Sequence, residues 1–109
     1  MLTLELKFKA MDIKIHSINF DASDKLQEFI ESKISKLSQF SDEILGAEVF
    51  LRLDKAQNLE NKVSKIKLDI PGTDLFAESQ ARSFEQATDD VVEALRRQLN
   101  KRKEKIRGV

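Results

Sequence analysis

The 109-residue sequence contains no Cys, Trp or Tyr, a single His, one Pro and three Gly. Without Cys the chain forms neither a disulfide framework nor a thiolate metal site, which fits the reducing cytoplasm that we expect as its location. Its longest apolar runs are far too short to span a membrane, and residues 1–10 lack the apolar core and cleavage site of a signal peptide. The length fits one domain.

The scarcity of His and Gly argues against catalysis. His16 is the only His, and its place within a strand-like segment gives it no visible catalytic partner. The three Gly form no phosphate-binding motif. On a helix, Glu85 and Asp89 share one side while Asp90 points elsewhere, which indicates a solvated acidic face and not a metal site. We therefore predict that the protein is not an enzyme and that it uses no metal, cofactor or small-molecule substrate.

Four segments alternate apolar and polar residues, as strands with one buried face do. They are Asp12–Ile18, Ala47–Asp54, Lys62–Ile70 and Leu75–Gln80. The sequence PGTD at positions 71–74 predicts a turn between the last two strands, because Pro fixes φ and Gly tolerates positive φ.

Two other segments carry apolar residues at helical spacing. The first starts at Leu26, ends near Phe40, and is preceded by Ser23 or Asp24 as a candidate N-cap. The second opens with residues 83–86, SFEQ, which have the spacing of a capping box, and its apolar stripe weakens toward Ile106. This helix is therefore predicted to pack along its first half and to project, charged, in its second.

The resulting order, β-α-β-β-β-α, predicts an α+β domain. We expect a two-layer sandwich in which a four-stranded, mainly antiparallel sheet carries both helices on one face. Val49, Leu51 and Leu53 are predicted to point toward the helices. The opposite sheet face is expected to be at least partly solvated. Its predicted side chains are Lys14, His16, Phe50, Arg52, Lys65, Lys67 and Phe76.

Residues 1–10 form a separate N-terminal extension ahead of a single domain at 11–109. Their apolar residues fall on even positions, whereas Ile13 and Ile15 are odd, so one continuous strand needs a bulge near Ala10 and Met11. The alternatives are an extra edge strand, or an upstream start codon whose product is disordered or absent in the cell.

The formal net charge of zero hides a strong asymmetry. Residues 1–94 hold 12 Lys/Arg against 18 Asp/Glu, a balance of −6, whereas residues 95–109 hold seven against one, a balance of +6. Such a basic end directs a field at a polyanionic partner, although cations also favour the C-terminal end of any helix dipole.

The cations of the second helix fall into two rows that flank its apolar stripe. One row contains Arg97, Lys101 and Lys105, and the other contains Arg96, Lys103 and Arg107. The first helix adds Lys33 and Lys36. Phosphates are the natural target of such a surface. Because Trp and Tyr are absent and only Phe50 and Phe76 are expected on the other sheet face, folded RNA fits better than stacking on single-stranded bases.

The sequence resembles a known family, the ribosome hibernation-promoting factors, which are also called ribosome-associated translation inhibitors. The likeness lies in the β-α-β-β-β-α order, in DIKI at 12–15, in KISKL at 33–37 and, most specifically, in LRRQLNKRKEK at 95–105. Members typically carry Leu-x-x-Gln-Leu-x-Lys-x-Lys-x-Lys there. The resemblance covers about residues 11–107.

The resemblance implies a fold like that of a double-stranded-RNA-binding domain and a place on the small ribosomal subunit. There the protein would block the channel of messenger and transfer RNA sterically and promote hibernation in stationary phase or stress. Because the sequence stops just after the helix, we expect a short-form member, monomeric off the ribosome.

The resemblance and the charge pattern together predict a set of RNA-binding residues. Arg97, Lys101, Lys103 and Lys105, with Lys33 and Lys36, match the rRNA-contacting positions of the family, whereas charge alone adds Arg96 and Arg102. Two departures stand out: Ala94 replaces a frequent Lys, and Glu85 replaces a common Tyr. The alternatives are a generic reader of double-stranded RNA and a protein-interaction module that modulates a transcription factor.

Overall fold

The computed structural model describes residues 11–55 and 59–106, and of residues 104–106 only the backbone. The elements are β1 (Asp12–Ser17), α1 (Asp24–Ser35), a 3-10 helix (Lys36–Gln39), β2 (Gly46–Leu53), β3 (Lys62–Ile70), β4 (Thr73–Ala81) and α2 (Phe84–Ile106). This is the predicted β-α-β-β-β-α order. The extension at residues 1–10, with its alternatives, lies outside the described residues.

The four strands form one sheet in the order β1-β2-β3-β4. β2 and β3 pair antiparallel, as do β3 and β4, whereas β1 and β2 pair parallel. The parallel pair follows from connectivity, because α1 carries the chain back along the sheet between these two strands. The prediction of a mainly antiparallel sheet is therefore confirmed.

Gly46 is required where the parallel pair begins. It is the partner of Asp12, and a Cβ at position 46 would lie only 2.8 Å from the Asp12 carbonyl oxygen. A side chain here would push β1 away from β2, so the close approach of the two backbones depends on the absence of a Cβ.

The turn between β3 and β4 is tighter than the predicted four-residue turn. Ile70 pairs with Thr73, so only Pro71 and Gly72 lie between the strands, and Gly72 has φ of 86°. A two-residue hairpin loop needs positive φ, which glycine adopts without strain. β4 therefore begins two residues earlier than the alternation of apolar side chains suggested.

Both helices pack on one face of the sheet, where their apolar stripes form the core. Its fully buried residues come from all layers: Ile30 and Ile34 of α1, Val49 and Leu51 of β2, Ile66 and Leu68 of β3, and Leu95 and Leu99 of α2. Leu53 was predicted to face this core but is 52% exposed, because it is the last residue of β2 and extends past the helices.

The helix caps are formed by serines. The Ser23 hydroxyl accepts a hydrogen bond from the Leu26 amide at 3.1 Å, and the Ser83 hydroxyl accepts one from the Gln86 amide at 3.0 Å. The predicted capping box is only half formed, because the Gln86 side chain donates to Asp90. Among the described residues, no helix is long and apolar enough to cross a membrane.

One buried polar contact joins α2 to the sheet. The Thr88 hydroxyl donates to the Ser64 hydroxyl at 3.1 Å, and both residues are fully buried. Each hydroxyl satisfies the other, so the layers meet without an orphaned polar atom at this point.

Replacing Thr88 by Val should therefore destabilise the fold. Thr88→Val keeps the shape but leaves the Ser64 hydroxyl unpaired in the core, at a cost of about 1–3 kcal/mol in the free energy of unfolding. Urea unfolding measures this loss. The double variant Ser64→Ala/Thr88→Val should recover most of it, and equal stability of Thr88→Val and the native chain would contradict the assignment.

Candidate nucleic-acid interface

The two helices lie side by side and run in the same direction. Three contacts join α2 to α1 and to the residues that flank α1. Phe20, before α1, stacks on Phe84 with ring centroids 4.9 Å apart, and Lys33 of α1 pairs with Asp89 at 3.1 Å. The Arg96 guanidinium lies 5.8 Å from the centre of the ring of Phe40, which follows the 3-10 helix. The later member of each pair lies further along α2, so this seam between the helices extends into the basic half of α2.

The seam determines where each row of cations lies. Arg96 contacts Phe40 across the seam, and Lys103, seven residues later, falls on the same side of α2; these two form the seam row. The Gln98 side chain donates to the backbone carbonyl of Phe76, so the side of α2 that carries Gln98 faces β4. Arg97 and Lys101, four residues apart, form an outer row that faces solvent between these two sides.

Several cations of the predicted site are held by carboxylates of the same chain. Glu93 accepts hydrogen bonds from Arg96, one of them from Nε at 3.2 Å, and its carboxylate lies 3.6 Å from an Arg97 nitrogen. The hydrogen bond from Arg96 is the main reason that the pKa of Glu93 lies below its usual range. On α1, Lys33 pairs with Asp89 and lies 5.4 Å from the centre of the Phe29 ring.

Arg102 has a different environment from the other predicted site residues. Its guanidinium donates to both oxygens of Glu43 and to the Pro71 carbonyl, at 3.1–3.4 Å, and only 27% of its side chain is exposed. It therefore tethers the end of α2 to the loop before β2 and to the β3–β4 turn.

The remaining described cations of the predicted site point freely into solvent. Lys36, Lys101 and Lys103 are exposed, and within the described side chains none of them forms an ion pair. The side chain of Lys105 lies outside the described part. These three ammonium groups can take up phosphate oxygens without first giving up an internal partner.

On the opposite sheet face, most of the charged side chains pair with side chains of opposite charge on the same face. Glu48 pairs with His16 at 3.1 Å and with Lys67 at 3.3 Å, and Arg52 pairs with Glu78 at 3.2 Å. Hydrogen bonds from His16 and then Lys67 lower the pKa of Glu48. Because carboxylates alternate with cations here, this face offers polyanions much less attraction than the basic C-terminal half of α2 does.

Glu85 and Ala94, the two departures from the family pattern, lie at different positions relative to the basic half of α2. Glu85 is exposed in the first turn of α2, so it lies about 18 Å along the axis from Arg97, given 1.5 Å per residue. Its charge therefore falls outside the basic rows. Ala94, one turn before Gln98, lies on the β4 side of the helix.

The contacts of Glu93 with Arg96 and Arg97 were not predicted from the sequence. The signal was present, since Glu93 precedes Arg96 by three residues and Arg97 by four, the spacing at which helical side chains meet. Asp89 had been interpreted as part of a solvated acidic face, but it pairs with Lys33 of the other helix. Within the described residues, no group of three or more His, Asp or Glu side chains is placed to hold a metal ion.

Comparison with solved structures supports this architecture. The N-terminal domain of Protein Y from Thermus thermophilus matches with a TM-score of 0.72 and 26% identity, over 84% of this chain and 98% of that one. A ribosomal subunit interface protein from Coxiella burnetii matches with a TM-score of 0.73 over 86% of this chain and 99% of that one. At 24% identity the latter shows likeness of fold alone.

Comparison of sequences extends the match. The ribosome hibernation promoting factor of Escherichia coli K12 is 29% identical over 97 residues, 89% of this chain and 98% of the relative. Its counterpart in Azotobacter vinelandii is 30% identical over 95 residues, 87% of this chain and 85% of the relative. The model of the family described as Sigma 54 modulation protein / S30EA ribosomal protein matches residues 13–107. The chain belongs to this family.

Proposed function

We propose that this protein binds the ribosome and promotes its hibernation, inhibiting translation without catalysing a reaction. Family membership over residues 13–107 and relatives named ribosome hibernation promoting factor support the proposal. The relative from E. coli aligns over nearly its whole length, so the likeness is not confined to one motif.

The structure supports a more specific mechanism of binding. The observation that carries it is that Lys36, Lys101 and Lys103 are exposed on the helical face and form no ion pair with any described side chain, opposite a sheet face whose charges are largely paired. Phosphates of folded rRNA offer closely spaced negative charge to such a surface. We therefore assign Lys36, Lys101 and Lys103, with Arg96, Arg97, Lys33 and Lys105, to rRNA binding.

The site on the ribosome that fits this mechanism is the channel of messenger and transfer RNA on the small subunit. A domain bound there excludes the normal occupants by its volume, so inhibition needs only positioning and affinity. In this account the protein acts in the cytoplasm and is a monomer when it is off the ribosome.

Transfer RNA should compete with the protein for the small subunit. Co-sedimentation of the purified protein with separated small and large subunits, with and without transfer RNA, measures this directly. We expect saturable binding to the small subunit that transfer RNA displaces. Equal binding to both subunits would instead indicate a generic reader of double-stranded RNA, and binding to neither would contradict the proposed function.

Neutralising the three unpaired lysines should weaken binding strongly. In Lys36→Ala/Lys101→Ala/Lys103→Ala, affinity for the small subunit should fall roughly 100-fold or more near 0.1 M salt. The slope of log affinity against log salt should flatten by up to about one unit per lysine, because fewer counterions are released. A titration of binding at several salt concentrations measures both quantities.

The matched control removes the same charge elsewhere. Lys14, Lys55 and Lys65 are exposed, and Lys14 and Lys65 lie on the open sheet face. Their triple Ala variant changes the net charge equally but should retain most of the affinity and the salt slope. Equal losses in the two triple variants would reduce the assignment to a general effect of net charge.

Arg102 should contribute to stability more than to ribosome binding. Arg102→Ala removes the partly buried pair with Glu43 and the hydrogen bond to Pro71, so the free energy of unfolding should fall by about 1 kcal/mol. Urea unfolding and subunit binding, measured together, separate the roles. A variant of native stability that binds as weakly as Lys101→Ala would assign Arg102 to the rRNA contact instead.

A further inference from the structure

Glu93 lies one turn before the basic half of α2, at the N-terminal edge of its cationic surface. Arg96 belongs to the seam row and Arg97 to the outer row, and the Glu93 carboxylate reaches both, with the Arg97 contact at 3.6 Å. On a helical projection Glu93 lies between these two arginines, so a phosphate that binds both guanidinium groups comes close to the carboxylate.

Both ion pairs of Glu93 lie at the surface, where they can be exchanged. About half of the Glu93 side chain and 63% of the Arg97 side chain are exposed, whereas Arg96 is 34% exposed and donates two hydrogen bonds to Glu93. Exposed ion pairs of this kind contribute little to stability, because water and salt compensate for their loss. A phosphate can therefore take over the guanidinium groups, but the displaced carboxylate remains attached one turn away and repels it.

Resting on the function proposed above, we propose that Glu93 is an internal competitor of phosphate that sets the affinity of this surface for RNA. In the free protein it accepts hydrogen bonds from Arg96 and forms an ion pair with Arg97, the two arginines that RNA would use. In the complex it keeps a negative charge beside the bound phosphates. Both effects lower affinity, and they act on the arginines while leaving Lys36, Lys101 and Lys103 free.

Asp89 and Glu43 also hold predicted RNA-binding cations, but each of them joins separate parts of the chain. Asp89 joins α2 to α1 through Lys33, and Glu43 joins the loop before β2 to α2 through Arg102, so removal of either would also alter packing. Among the residues that the structure describes, Glu93 pairs only within its own helix, which makes it the residue at which charge can be changed with little structural consequence.

Glu93→Gln tests the proposal, because Gln keeps the length of the side chain and an oxygen that accepts from Arg while it removes the charge. The probes are immobilised heparin, a duplex RNA of about 20 base pairs, long enough to span two minor grooves, and the small ribosomal subunit. We expect elution from heparin at higher salt. For the duplex RNA and for the small subunit we expect affinity to rise about 3- to 10-fold near 0.1 M salt, as one added phosphate contact would give.

The matched control is Glu78→Gln on the open sheet face. Glu78 is also 48% exposed and also pairs with an arginine, Arg52, so the variant makes the same change of charge and frees the same kind of group. Its heparin elution and RNA affinity should stay close to those of the native protein. An equal gain in both variants would reduce the effect to net charge and overturn the proposal.

The outcomes separate this inference from the proposed function. Unchanged or weaker binding of Glu93→Gln, beside native protein that binds the small subunit, would overturn the competitor role and leave the function standing. Weaker binding would mean that Glu93 positions the arginines for RNA. If the native protein did not bind the subunit, the function would fail, and heparin and the RNA duplex would still decide the role of Glu93.

Discussion

Burial of the apolar stripe of α2 against the sheet determines where the described cations of that helix point. Leu95 and Leu99 are almost completely buried, and they belong to the same core as Ile66 and Leu68 of β3. With this side fixed inward, the residues between them along the helix must lie on the flanks or face solvent. The basic surface is therefore a consequence of core packing.

The position of α1 then determines how the two rows of cations on α2 differ. α1 runs beside α2 in the same direction, so one row of cations lies at a seam where carboxylates and aromatic rings are available. Lys33 and Arg96 are held there, by Asp89 and by Glu93 with Phe40 respectively. Lys36 and Lys103 extend beyond these contacts and remain exposed. The same packing thus separates the cations that contact carboxylates of the chain from those that form no ion pair with a described side chain.

The fold was predictable from the sequence because it depends on local periodicity. Alternating residues located the four strands, and spacings of three and four located both helices. The errors occurred at ends, where local pattern is weakest. The turn after Ile70 contains two residues and not four, because strand pairing continues to Thr73. Leu53 follows the alternation but lies past the edge of the core.

The cations of the candidate site could be predicted from the sequence, but the carboxylates that pair with them could not. Helical spacing and charge, with the family resemblance, indicated which cations share a face. Which of them are already paired depends on contacts between distant parts of the chain. Arg102 meets Glu43 across 59 residues of sequence, and Lys33 meets Asp89 on the other helix, so neither pair leaves a local pattern. Glu93 is the exception, since its spacing to both arginines is visible in the sequence.

Under the proposed function, charge complementarity favours one orientation on the ribosome, with the helices toward rRNA and the open sheet away from it. The most direct test is a cryo-electron microscopy map of the small subunit saturated with this protein. The account predicts density in the channel of messenger and transfer RNA, with Lys36, Lys101 and Lys103 at ion-pair distance from phosphates. A bound domain whose open sheet face contacts the RNA, with its helices turned to solvent, would contradict it.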